Sequence, residues 1–163
     1  MWEGRFITAK RRGKWEYVSR SRGIRAAVIL AIDDGHVLLV EQFRVPLGKN
    51  CIELPAGLVG DHDDIADEDA SIAATRELEE ETGYRAGIME DCGEFYSSPG
   101  MVSESFSLFK AGGLTKVSEG GGVEGENITV HRVSLTELGD FIDQKRSEGA
   151  GIDVKLLLLL GPK

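Results

Sequence analysis

Residues 76–84 read RELEEETGY. On a helix, Glu77, Glu80 and Glu81 stand at i, i+3 and i+4, so three carboxylates crowd one face while Glu79 points away. Like charges at that spacing repel by roughly a few tenths of a kcal/mol per pair, and by more where water is excluded, so the arrangement calls for a counter-charge. A hard divalent cation supplies one. Mg²⁺, with Mn²⁺ able to take its place, prefers a few carboxylate oxygens together with water and phosphate, and the chain has no His or Cys cluster to suit a softer metal. His36, His62 and His131 are scattered and read as surface or satisfied core residues. The plainer alternative is that the glutamate run is a solvated helix face.

The elements that must position these residues come next. A chain of 163 residues, 41% of them hydrophobic, makes one compact domain with a real core. A net charge of -9 repels phosphates at long range, so an acidic protein that handles them needs local arginines and bound cations. No basic, aromatic-interleaved stretch is present to track a nucleic-acid polymer. Cys51 and Cys92 lack the number and spacing of a disulfide framework and are expected to be buried free thiols. No apolar run reaches the length of a membrane span and the N-terminus lacks a signal-peptide pattern, so a cytoplasmic location is expected. The run Leu156 to Leu160 reads as the buried end of a final helix.

Residues 4–20 alternate around the turn signal Lys10 to Lys14 and predict a hairpin. Ile24 to Ile32 and "HVLLVEQF" predict partner strands about an Asp33-Asp34-Gly35 turn. "CIELPAGL" is a short strand stopped by Pro55 and Gly57, followed by an acidic loop. Asp67 or Asp69 can cap a helix that includes Ala70 to Leu78 and ends at Gly83. Further strands are expected over Gly93 to Tyr96, Ser105 to Lys110 and Ile128 to Val133. A closing helix should start after Ser134, with Glu137 completing a capping box. The segment from Gly112 to Gly125 is expected to be a mobile loop on composition alone.

"RELEEETGY", preceded by Glu68 eight residues before Arg76, resembles the Nudix box, Gly-x5-Glu-x7-Arg-Glu-U-x-Glu-Glu-x-Gly-U with U a bulky apolar residue. The first glycine of that pattern falls on His62; Gly57 is expected to take its role, with about five extra loop residues between. The resemblance implies an α/β fold, an α/β/α sandwich around a mixed β-sheet. It also implies that Glu77, Glu80, Glu81 and the Ala56 carbonyl bind metal, that Arg76 orients a glutamate, and that Glu68 supports the site. The metals would neutralise a pyrophosphate and lower the pKa of a water.

Three segments are similar to the ADP-ribose pyrophosphatase branch of that family. "VEQFRVPLGKNCIELPAGL" places Arg44 on the substrate phosphates and Glu53 among the substrate-binding residues. "SSPG" puts Pro99 sixteen residues after Gly83, a mark of the branch. "KWEYVSR" is similar to the strand that binds adenine, often across a dimer interface. There Trp15 would stack on the base, Glu16 accept from its amine and Arg20 lie near the diphosphate. As half-buried strand aromatics, Trp15 and Tyr17 would have no such role. Residues 1–22 are thus expected to be N-terminal strands for dimerisation and adenine binding, and 23–163 the hydrolase domain. For the base that activates water, Glu126 is preferred over Glu104, with Glu124 third; each could also be a solvated loop carboxylate, and Glu104 a metal or ribose contact.

The expected reaction is hydrolysis of ADP-ribose to AMP and ribose 5-phosphate by a homodimer. One alternative keeps the enzyme and changes the substrate to another nucleoside diphosphate sugar such as GDP-mannose. The other is a non-catalytic ADP-ribose sensor, which the intact set of box glutamates argues against.

Overall fold

In the computed structural model, which describes residues 1–21, 25–60, 69–123 and 125–160, the centre of the molecule is the strand pair β4 (Arg25–Asp33) and β5 (His36–Arg44). Asp34 and Gly35 both take positive φ, 47° and 66°, the two-residue turn that matches the twist of a hairpin. Before it come three short strands, β1 (Trp2–Glu3), β2 (Ile7–Arg12) and β3 (Trp15–Arg20). They form a separate antiparallel sheet in which the expected hairpin is β2–β3. The expected boundary at 22/23 lies outside the described residues, as do Ile24, His62, Asp67, Glu68 and Glu124.

After β5 follow β6 (Lys49–Glu53), β7 (Ala56–Val59) and α1 (Ala70–Thr82), then the long strands β8 (Tyr84–Tyr96) and β9 (Ser105–Lys116). The chain closes with β10 (Thr129–Ser134), α2 (Leu138–Ser147), β11 (Gly151–Ile152) and a last short turn of helix, Leu157–Leu160. The main sheet is mixed: β9 runs parallel to β4, β11 parallel to β6, and the other pairs are antiparallel.

Strand alternation builds the sandwich. In β4, Ala27, Ile29 and Ala31 face α1, where they meet Ala73, Ala74, Leu78, Phe109 and Ala111; all five alanines are fully buried. Val28 faces the other way, into a layer with Val37, Leu39, Ile52, Leu54, Leu138 and Ile142 beneath α2. Each helix thus covers one face of the sheet.

Several expectations are corrected. β6 does stop at Glu53, just ahead of Pro55, but Gly57 stops nothing, because it lies inside β7, which pairs with β4. β8 and β9 run far beyond the expected strands, since each supplies the other's hydrogen bonds across a bulge at Gly93. Gly112 to Lys116 belong to β9, and Gly121 and Gly122 are bonded to α1 rather than loose, as described below. Cys51 is buried, but Cys92 is exposed on the solvent side of β8. In the leucine run only Leu156 is fully buried, while Leu157 and Leu158 are exposed. Asp69 caps α1, its carboxylate accepting the Ser71 N–H at 2.8 Å. The capping box before α2 does not form: Glu137 makes no cap bond, and the Ser134 hydroxyl accepts the Thr136 N–H instead. Among the described residues no helix is long and apolar enough to cross a membrane.

Candidate active site

β4 and β5 pair only at two positions beside their turn and then part, β4 continuing along β7 and β9, β5 along β6 and β10. A cavity of about 440 Å³ opens at the parting. Nine of the residues singled out from sequence line it: Arg20, Arg44, Glu53, Ala56, Gly57, Glu77, Glu81, Glu104 and Glu126.

The acidic wall is α1. Glu81 is 5% exposed and its Oε2 accepts the Ala56 N–H at 2.9 Å, which pins the helix to β7. Burial pushes the Glu81 carboxyl up to about 8; the charges of Glu77 and Glu126 add to this, and the Ala56 N–H and Arg44 oppose it. Gly57 lies against Glu77 so closely that a Cβ on it would fall 1.8 Å from the Glu77 Cδ. Arg76 donates to Glu77 Oε1 at 2.8 Å and to Glu80 Oε2 at 3.2 Å, spanning two of the three carboxylates. Glu79 points outward to Arg85.

The opposite wall is basic. Arg44 forms a two-pronged bond to Glu53, Nε to Oε1 at 2.6 Å and Nη2 to Oε2 at 2.9 Å, and this hydrogen bonding raises its pKa further. Arg20 is ion-paired with Glu104, which joins the N-terminal sheet to the start of β9. Lys155, held by Asp153 at 2.8 Å, also faces the cavity, with its ammonium 5.7 Å from the Phe106 ring centre.

The two candidate bases differ in their surroundings. Glu104 is committed to Arg20. Glu126 lies on the loop after β9, its carboxylate accepting only the Val123 N–H among the described hydrogen bonds, at 2.9 Å, while its backbone carbonyl accepts from Gln42 at 3.2 Å. Gln42 and Lys155 were missed in the sequence. Gln42 carried a signal, since it lies two residues before Arg44 and hence on the same strand face. Lys155 carried none, because only the tertiary fold brings it there.

Other candidates lie apart. Glu80 and Arg76 line a separate groove beside α1 with Ser71, Ile72, Thr75 and Glu79. Among the described residues no three acidic, His or Cys side chains stand in a finished ligand set. Trp15 and Pro99 share a second groove of about 530 Å³ with Tyr17, which reaches Ser19 and Ser103 beside the cavity residues Arg20 and Glu104. Trp15 and Arg20 are five residues apart on one strand, or roughly 16 Å. Glu16 is on the strand face opposite Trp15. The oxygen-only donors converging from α1 and Glu126 fit a hard divalent cation.

The NUDIX domain family matches residues 22–152. The chain is 38% identical over 121 residues to a methanol dehydrogenase activator from Bacillus methanolicus, covering 74% of this chain and 63% of that one. It is 34% identical over 120 residues to an ADP-ribose pyrophosphatase from Bacillus subtilis, covering 73% and 62%. It is also 36% identical over 148 residues to a GDP-mannose pyrophosphatase from Cronobacter sakazakii, covering 85% and 72%. The chain thus spans less than two thirds of the length of the first two. A crystal structure of an ADP compounds hydrolase has the same fold, with a TM-score of 0.66 at 20% identity over 94% of this chain and 89% of that one.

Proposed function

The chain belongs to the Nudix hydrolase family, and from that premise we propose that it cuts the pyrophosphate of ADP-ribose, giving AMP and ribose 5-phosphate, with Mg²⁺ or Mn²⁺ as cofactor. The observation that carries this reading is the single cavity in which Glu77, Glu81 and Glu126 face Arg20 and Arg44. Such a pairing of walls suits an anion that arrives with its cations.

Glu77, Glu80, Glu81 and the Ala56 carbonyl would hold the metal, with Glu80 turning in from its bond to Arg76. When bound, the cation supplies counter-charge to the pyrophosphate and makes water more acidic. The remaining work falls to the chain itself. Arg44, held rigid by Glu53, presents its guanidinium to the phosphate oxygens. Arg20 is aimed by Glu104, which makes Glu104 a positioning residue. Glu126 takes the proton from the attacking water as the water oxygen bonds to phosphorus and the bridging oxygen leaves with its electron pair. Trp15 lies about 16 Å along β3 from Arg20 and on the opposite strand face, which suits stacking on the base of a nucleotide in the cavity of a second copy. The exposed Trp2, Phe6 and Trp15 on the N-terminal sheet suit that homodimer.

Turnover of ADP-ribose, GDP-mannose, diadenosine polyphosphates and oxidised nucleoside triphosphates, compared side by side with Mg²⁺, tests the substrate. ADP-ribose should give the highest kcat/KM. A higher value for GDP-mannose would replace it with the second reading, which the likeness to the Cronobacter enzyme over 85% of the chain favours.

A further inference from the structure

We propose that Gly120, Gly121 and Gly122 form a latch that holds Glu126 in register with the carboxylates of α1, through the main chain of the very residues that bear them. This rests on Glu126 being the base.

The C-terminal end of a helix leaves its last carbonyls without partners inside the helix. In α1 the cap Gly83 bonds back to Glu79, and the carbonyls of Glu80 and Glu81 are taken by the N–H groups of Gly122, at 3.0 Å, and Gly121, at 2.8 Å. The two backbones cross in direct contact. A Cβ on Gly120 would fall 2.4 Å from the Thr82 carbonyl carbon and 2.7 Å from the Glu81 oxygen. Gly120, Gly121 and Gly122 have φ of 68°, 107° and 77°, a run that other residues adopt only with strain.

From this crossing the chain folds back on itself. The Ile128 N–H donates to the Gly121 carbonyl at 3.1 Å, and the Val123 N–H donates to the Glu126 carboxylate. A Cβ on Gly122 would stand 2.2 Å from Glu126 Oε2. Gln42 fixes the same loop from the β5 side. Glu126 is thus set by the helix end, and a shift of α1 carries the base with the acidic face. Gly125 is the internal contrast: its φ is 96°, but nothing lies within 4 Å of a Cβ built there. A displacement of about 1 Å at a reacting group costs on the order of a hundredfold in rate, so such a latch has catalytic weight.

The test compares Gly120→Ala, Gly122→Ala, Gly125→Ala, Glu126→Gln and the Gly120→Ala/Glu126→Gln double variant, using ADP-ribose turnover with Mg²⁺ and amide hydrogen exchange. Gly120→Ala should expose the amides of Gly121 and Gly122 and lower kcat by about tenfold or more with KM little changed. Gly125→Ala, which carries the φ strain without the contact to α1, should leave those amides protected. In the Glu126→Gln background the Gly120→Ala change should have no further effect, because the group it misplaces is already disabled. Unchanged protection of both amides in folded Gly120→Ala overturns the latch, as does an equal fall in kcat with or without Glu126. If Gly120→Ala does not fold, Gly122→Ala decides: its methyl group falls against the Glu126 and Ile128 side chains and its φ of 77° adds backbone strain, so kcat should fall, and normal kcat overturns the proposal. Normal turnover by Glu126→Gln removes the base assignment and the latch's catalytic purpose, while hydrogen exchange separately decides whether the latch exists.

Discussion

Gly57 of β7 and Glu77 of α1 are in contact, with room between them for a hydrogen atom and for nothing larger. A methyl group at residue 57 must push the Glu77 carboxylate out of the acidic wall. The glutamate can swing aside, so Gly57→Ala should keep its fold, as followed by thermal unfolding, yet lose about tenfold or more in kcat. Activity within twofold of the parent would mean that the position of Glu77 does not matter.

Glu80→Gln and Glu81→Gln each remove a charge but keep the shape, and in the Glu81→Gln variant the side-chain amide oxygen can still accept the Ala56 N–H. Each should lower turnover by about a hundredfold or more while the circular dichroism spectrum stays unchanged, and excess chelator should abolish activity in the parent. Near-normal rates in both variants, or activity in chelator, would dismiss the metal assignment.

Glu41 joins four elements on the far face of the sheet, bonded to Lys145 at 2.9 Å, His131 at 2.9 Å and Asn50 at 3.0 Å. Burial by itself would raise its pKa, but these bonds outweigh burial and hold it at about 2, below the ordinary 4.5. A carboxyl depressed in the folded state stabilises fully above its unfolded pKa, and that stability is lost as the pH falls toward the folded value. Urea unfolding of the parent and Glu41→Gln should therefore differ most near neutral pH and converge between about pH 4.5 and 2. A pH-independent gap would refute the linkage.

Trp15→Ala should raise KM for ADP-ribose by about tenfold, the scale of a lost aromatic stack of 1 to 3 kcal/mol, with kcat less affected. Light scattering should report a dimer. A monomer whose Trp15→Ala variant keeps its KM would rule out a base-stacking role.

The parts of the fold legible in the sequence were those coded by neighbours along the chain. Asp69 and Gly83 mark α1 because caps act within a turn or two, and Asp34-Gly35 marks its hairpin for the same reason. The misread parts draw on distant partners. The glycines of β9 are held as strand by β8 and β4, and Gly121 is fixed by a carbonyl forty residues earlier in the chain. In the site, the glutamates and arginines announced themselves by type and spacing. The separation of Glu80 from Glu81 in the surrounding grooves, and the arrival of Lys155, depend on packing that no local pattern encodes.

The alanines between α1 and the sheet limit how the acidic wall can vary. Ala27, Ala31 and Ala111 of the sheet and Ala73 and Ala74 of the helix have no χ1 rotamers to exchange, so half of the ten buried residues in this layer have a single side-chain conformation. The three carboxylates therefore share one stiff platform. An added methyl group in that layer cannot be absorbed by a neighbouring alanine turning aside, and it lifts all of them together.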